Sequence, residues 1–167
     1  MEKYKACLHS PIGWLEITGS EKGIASIYFH DEKTNEMNPA IVPPVLKPCI
    51  DQLKEFFAGS RKEFQLQLDP EGTEFQLKVW SELIHIPFGT TFSYIQLAKV
   101  INNEKAVRAV GSANGQNKIA IVIPCHRVIG ANATLTGYSG GLERKRWLLE
   151  HEQNHSENRP LNLFTTA

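Results

Sequence analysis

The 167-residue chain is sparing with cysteine, has no long apolar run and carries no net charge. Its cysteines, Cys7, Cys49 and Cys125, are too few and odd in number for a disulfide framework, so each is expected as a free thiol. No apolar stretch approaches the roughly 18 residues that a bilayer-spanning helix requires. The opening residues, MEKYKACLHS, lack the apolar core of a secretion signal, so the chain is expected in the cytosol and off the membrane. There is no C-x-x-C, and the one histidine pair at helical spacing around a carboxylate, His151 and His155 about Glu152, is expected on a solvated, fraying helix end, so no metal is expected. A phosphate-binding glycine loop is missing as well. What remains is ordinary globular composition, 41% hydrophobic and 22% charged, in a length that suits one medium domain or two small ones.

The zero charge is a sum of opposites. Residues 1–90 hold nine Lys and Arg against thirteen Asp and Glu, a net of −4. Residues 91–167 hold nine against five, a net of +4. A neutral total argues against a protein that coats nucleic acid, yet the basic second part is where an anionic partner would sit.

The first thirty residues alternate like strands. Tyr4–His9, Trp14–Thr18 and Ile24–His30 are separated by turns at Ser10-Pro11-Ile12-Gly13 and Ser20-Glu21-Lys22-Gly23, an antiparallel meander. Asp31 to Pro44, with three prolines, is expected as a loop. Leu46, Ile50, Leu53, Phe56 and Phe57 then recur at helical spacing up to Gly59, and Glu63 to Leu68 alternates again as a strand. Asp69-Pro70-Glu71-Gly72 closes a first domain over residues 1–72.

The period then changes. Thr73 with Gln76 forms a capping-box pattern before a helix whose inner face is Phe75, Val79, Trp80 and Leu83. Ser93 with Gln96 repeats the pattern before Ile95, Leu97, Ala98 and Ile101. Asn102-Asn103 breaks that helix, and a third runs from Glu104 to Ala113. Two short helices across a tight turn outline a helix-turn-helix. The third helix is narrow, built from Ala106, Ala109, Gly111, Ser112 and Ala113, with Arg108 as its long cation. Ile119 to Ile123 is apolar and stops at Pro124. A last helix over Gly141–Glu152 carries Leu142, Trp147 and Leu149. Residues 73–153 form the second domain and 154–167 a tail, with His151 and His155 on a solvated, fraying face.

Cys125 is the sharpest chemical feature, followed at once by His126 and Arg127. A free thiol has a pKa of about 8.5, so only a few per cent is thiolate at pH 7. His126, Arg127 or a helix N-terminus could lower that value; an inert buried cysteine is the alternative. Gly137-Tyr138-Ser139-Gly140-Gly141 matches the nucleophile elbow G-x-S-x-G, but the elbow needs a strand before it and a large parallel sheet, and no βαβ pattern is present.

Ile-Pro-Cys-His-Arg-Val at 123–128 resembles the active-site string of the O6-alkylguanine-DNA alkyltransferases, also called methylated-DNA–protein-cysteine methyltransferases. Ser93-Tyr94, Arg108-Ala109-Val110-Gly111, Asn114-Gly115-Gln116-Asn117, Thr136 to Gly141 and Trp147 to Glu152 fall at matching spacings. The likeness is dense over 73–153 and only an outline before it. It implies an α+β fold, a small N-terminal α/β domain with antiparallel strands packed on a helical, winged-helix-like domain. It also implies a monomer, without cofactor, that binds duplex DNA containing O6-alkylguanine through the minor groove and flips the damaged base out. Cys125 would take the alkyl group from guanine O6, once and irreversibly, with O4-alkylthymine as a second candidate substrate. His126, held by Glu152, would draw the thiol proton through a water, and Asn117 would orient the turn around Cys125. Tyr94 would donate to the leaving guanine and the Ser139 amide would meet O6. The carbonyls of Cys125 and Val128 would accept from the guanine amino group, Tyr138 would line the pocket, and Arg108 would fill the space of the flipped base. Some relatives hold a structural zinc, but Cys7, His9, His30 and Cys49 do not reproduce that ligand pattern. Two alternatives carry a different chemistry: a non-enzymatic alkylated-DNA-binding relative, which lacks the reactive cysteine present here, and a helix-turn-helix regulator, which lacks support from a second basic helix face.

Overall fold

The computed structural model describes residues 1–157 and 165–166 and divides into two compact units, residues 1–71 with 118–120, and residues 72–117 with 121 onward. In the first unit the alternating stretches become β1 (Tyr4–Ser10), β2 (Gly13–Ser20) and β3 (Gly23–His30), an antiparallel sheet in chain order. Leu15 and Ile17 of β2 and Ile27 of β3 are fully shielded, while Trp14, Glu16 and Thr18, the alternate positions of β2, stay partly open. Helix α1 (Lys47–Phe57) buries Cys49, Ile50, Leu53 and Phe56, the stripe that its spacing requires.

The strand expected at Glu63–Leu68 is not a strand. Phe64, Leu66 and Leu68 keep their alternation and are half-buried, but the backbone joins the sheet only at a single bridge between Leu68 and Ile24. The side-chain amide of Gln52 explains this: it donates to Gln65 O at 3.1 Å and accepts from Gln65 N at 2.9 Å, standing where a neighbouring strand would be. Gly23 makes the bridge possible. It has φ +139°, and a Cβ there would lie 2.7 Å from Gln67 O. Lys118–Ala120 returns to the same sheet, with Ile27 N donating to Lys118 O at 2.9 Å and Ala120 N to Ile27 O at 3.2 Å.

The second unit opens with α2 (Glu74–Leu83), capped by Thr73 and Gln76 in a complete capping box. β4 (Phe92–Ser93) leads into α3 (Tyr94–Val100), capped in the same way by Ser93 and Gln96. Asn102, at φ 59°, turns the chain toward α4 (Val107–Gly115), so α3 and α4 form the expected helix-turn-helix. The expected start at Glu104 is instead a 3-10 turn over Glu104–Ala106 that runs into α4, and neither start carries a side-chain cap. Trp80 fastens α2 to α4 by donating its indole N–H to Ala113 O at 2.8 Å. Ile95, expected inward, is half exposed, whereas Leu97, Ala98 and Ile101 are buried.

Beyond α4, Ile119 to Ile123 is buried but irregular. Ile121 sits at φ +71°, a left-handed conformation that costs a β-branched residue about 1–3 kcal/mol. β5 (Val128–Ile129) pairs in parallel with β4, and β6 (Thr134–Leu135) precedes α5 (Leu142–Asn154). A last pair, β7 (Thr165–Thr166), runs parallel to β6. The expected tail lies for the most part outside the described residues. Of the apolar residues named on α5, Leu149 is buried and Leu142 and Trp147 are partly so; the buried stripe also takes in Lys145, Leu148, His151 and Glu152. His151 is not on a solvated face: it is buried, its ring stacked 4.7 Å from that of half-buried Trp147. Among the described residues no helix is long and apolar enough to cross a membrane.

Candidate active site

Cys125 opens a 3-10 turn, Cys125–Arg127, that Val128 closes by donating its N–H to Cys125 O. Pro124 ends the irregular segment and puts the thiol at the first residue of the turn. Cys125 is 3% exposed. Its surroundings come from α4 and the loop after it. Asn117 donates its side-chain amide to Cys125 Sγ at 3.2 Å and to Ile123 O at 2.8 Å, and Asn114 donates to Cys125 O at 3.3 Å. Burial pushes the Cys125 thiol up, against the Asn117 amide, the Lys145 charge and the backbone, which all pull it down. The resting group is therefore a neutral thiol, and neither His126 nor Arg127, the two candidates for lowering it, is among the groups that pull it down.

The next two residues bond to α5. His126 Nε2 lies 2.6 Å from Glu152 Oε2. Arg127 spans the same carboxylate, Nε to Oε1 at 2.8 Å and Nη2 to Oε2 at 2.9 Å, and donates Nη1 to Ile86 O at 2.7 Å. Gly89 N adds a bond to Oε1 at 3.1 Å. Burial alone would raise the Glu152 carboxyl, but His126 and Arg127 outweigh it and bring it down to about 2. Burial lowers His126 in spite of Glu152, so its imidazole is neutral. Because the carboxylate can only accept, Nε2 carries the proton and Nδ1 is the basic nitrogen; Nδ1 is buried with no hydrogen-bond partner among the described residues.

A second network lies beside the first. Lys145 is 0% exposed and donates Nζ to Val128 O at 2.6 Å and Thr136 O at 2.8 Å. Tyr94 donates to the same Thr136 O at 3.3 Å and accepts from Thr136 Oγ1 at 3.2 Å. Gly111 of α4 faces the Tyr94 ring, and a Cβ there would meet it at 3.6 Å, an ordinary contact. Tyr138 is buried, with its phenol pushed well up by burial, and Ser139 is exposed on the same loop. Arg108 stands apart on the exposed side of α4, next to exposed Ala109 and Ser112.

The structure thus bonds Asn117 to Cys125 and Glu152 to His126, on adjacent residues of one turn, and ties Tyr94 to Val128 through Thr136 and Lys145. Two family models match the chain: 6-O-methylguanine DNA methyltransferase, ribonuclease-like domain, over residues 3–70, and the DNA binding domain of the same enzyme over 74–154. A methylated-DNA–protein-cysteine methyltransferase of Methanosarcina acetivorans is 47% identical across 89% of this chain and 97% of its own. That of Mycolicibacterium paratuberculosis is 45% identical across 88% and 90%. The chain belongs to the methylated-DNA–protein-cysteine methyltransferase family.

Solved members superpose closely. The O6-methylguanine methyltransferase of Mycobacterium tuberculosis gives a TM-score of 0.82 at 40% identity, over 96% of this chain and 97% of that one. A structure of the M. tuberculosis protein in complex with DNA gives 0.81 at 42%, over 91% and 94%.

Sequence reasoning missed three features of this methyltransferase-family site. Arg127 was expected near the thiol, but a fork of donors matches a carboxylate better than a sulfur, and Glu152 takes it. Asn114 was quoted only within a motif. Lys145 was overlooked between Arg144 and Arg146, although its spacing to Leu148, Leu149 and Glu152 marks it as the inward one. Among the described residues no three His, Cys, Asp or Glu side chains gather to hold a metal.

Proposed function

We propose that this protein repairs alkylated DNA by moving a methyl or larger alkyl group from guanine O6 to Cys125, each chain acting once. The observation that carries this is a buried thiol bonded to Asn117, next in sequence to a neutral imidazole whose tautomer Glu152 fixes. A weak nucleophile beside an oriented base is the arrangement that alkyl displacement needs. His126 Nδ1 takes the thiol proton through a water. Sγ then attacks the alkyl carbon, the S–C bond forming as the C–O6 bond breaks, and the electron pair leaves on the guanine. Tyr94 donates to that leaving group, and the Ser139 amide meets O6. The carbonyls of Cys125 and Val128 accept from the guanine amino group, and Tyr138 walls the pocket.

DNA enters by its minor groove, where the slim, exposed side of α4 fits, and Arg108 fills the gap left by the flipped base. The basic second half gives this contact its charge, so binding weakens as salt rises. Substrate supplies the group and protein the acceptor, which leaves no task for a cofactor. One chain holds every residue of the site, so a monomer suffices, and a reducing cytosol keeps Cys125 as a thiol.

Duplex DNA carrying labelled O6-methylguanine tests the proposal. Label should pass to the protein and fail to pass to Cys125→Ala. Tight binding of the duplex with no transfer would identify a non-enzymatic binder instead.

A further inference from the structure

The cations around Cys125 are unequally matched. Arg127 is neutralised by Glu152 through two hydrogen bonds, and His126, bonded to the same carboxylate, is neutral. Lys145 is different: among the described residues its ammonium has two carbonyls for partners and no carboxylate within ion-pair distance. An interior ammonium without a counter-ion is costly. Burial accordingly draws Lys145 down to about 8, and the charge of Cys125 pulls the other way.

Its two carbonyls are not arbitrary. Val128 closes the turn that begins at Cys125, and Thr136 holds the Tyr94 hydroxyl. A single buried amine therefore links the nucleophile's turn to the side chain assigned to the leaving group. We propose that Lys145 is a positioning residue for alkyl transfer, supplying the counter-charge for the Cys125 thiolate and holding that turn and Tyr94 in one frame. This rests on Cys125 as the nucleophile. The titratable and charged groups around Lys145 are Cys125, His126 and Arg127 on the turn, Tyr94 on α3, Tyr138 on the pocket loop, and Arg144 and Glu152 on its own helix. Of these, Cys125 is the one whose charge changes during transfer and that has no counter-charge of its own.

The test measures single-turnover methyl transfer from an O6-methylguanine duplex, and iodoacetamide labelling of Cys125, against pH. Wild type, Lys145→Met and Lys145→Arg are compared. The Met variant should move the rising limb of both profiles up by about one pH unit and slow transfer at pH 7 about tenfold, with Arg restoring the midpoint. A purely structural role would lower the amplitude and leave the midpoint where it was; that result overturns the proposal. A second arm holds even where the Met variant does not fold. Electrostatic coupling is reciprocal, so the titration of Lys145, followed by NMR at its Cε, should fall by about one unit in Cys125→Ser. An unchanged midpoint there also overturns it. Wild-type protein that labels normally but takes no methyl from DNA contradicts the repair function instead, and the labelling and NMR arms still decide the role of Lys145.

Discussion

Arg127 and Glu152 face each other as fork and carboxylate, Nε to Oε1 at 2.8 Å and Nη2 to Oε2 at 2.9 Å, in a pair almost wholly removed from solvent. The pair cancels two charges beside the thiol and locks the carboxylate that bonds His126. Its other contacts, Arg127 to Ile86 O and Gly89 N to Glu152, bring the loop after α2 into the same cluster.

Arg127→Met should therefore be severe. It leaves Glu152 buried with one partner fewer, and breaking a buried ion pair from one side costs about 3–5 kcal/mol. Urea denaturation measures this; a loss below about 1 kcal/mol would mean that solvent reaches the carboxylate, as it does in exposed pairs.

Acid should act through the same residue. Glu152 is depressed to about 2 by His126 and Arg127 acting against burial, so its contribution to stability is full above the ordinary carboxylate range. The native state holds fewer protons than the unfolded one between about pH 4.3 and 2, and stability falls as pH drops through that window. The loss should be on the order of 3 kcal/mol and should vanish in Glu152→Gln. Equal pH slopes for both proteins would contradict this.

Asn117→Ala removes the donor to Cys125 Sγ and to Ile123 O. Without it the thiol should rise further, since a hydrogen bond to a charged group is worth about 1.5–3 kcal/mol. Iodoacetamide labelling at pH 7 should slow by about tenfold or more. Labelling at the wild-type rate would show that the contact does not reach the thiolate.

Arg108→Ala should separate DNA handling from chemistry. The side chain is exposed on α4 and has no bond to the Cys125 cluster. Repair of a lesion in duplex DNA should fall more than reaction with free O6-methylguanine, because only the duplex requires extrusion of the base, at a few kcal/mol. Equal losses would remove Arg108 from that role.

Much of this was legible in the residues themselves. The meander, α1 and both capping boxes follow from period and cap chemistry, which act within a few residues. Cys125 stood out because Pro124 and a break in pattern isolate it. What period does not encode is where a polar side chain replaces backbone. Gln52 turned the expected strand at Glu63–Leu68 into a single bridge, through bonds across thirteen residues. The full inner stripe of α5 was not legible for a related reason: Lys145 and Glu152 occupy its ends, and hydrophobicity ranks both as outward. Their burial depends on Val128 O, Thr136 O, His126 and Arg127, partners that only the folded chain assembles.

The central claim is that Cys125 is the acceptor of the alkyl group. Mass spectrometry of peptides from protein incubated with excess O6-methylguanine duplex tests it most directly. The account predicts a gain of one methyl on the peptide containing Cys125, reaching a plateau at one per chain, with guanine restored in equal amount. Methyl on Cys7 or Cys49, or guanine restored well beyond one per chain, would contradict it.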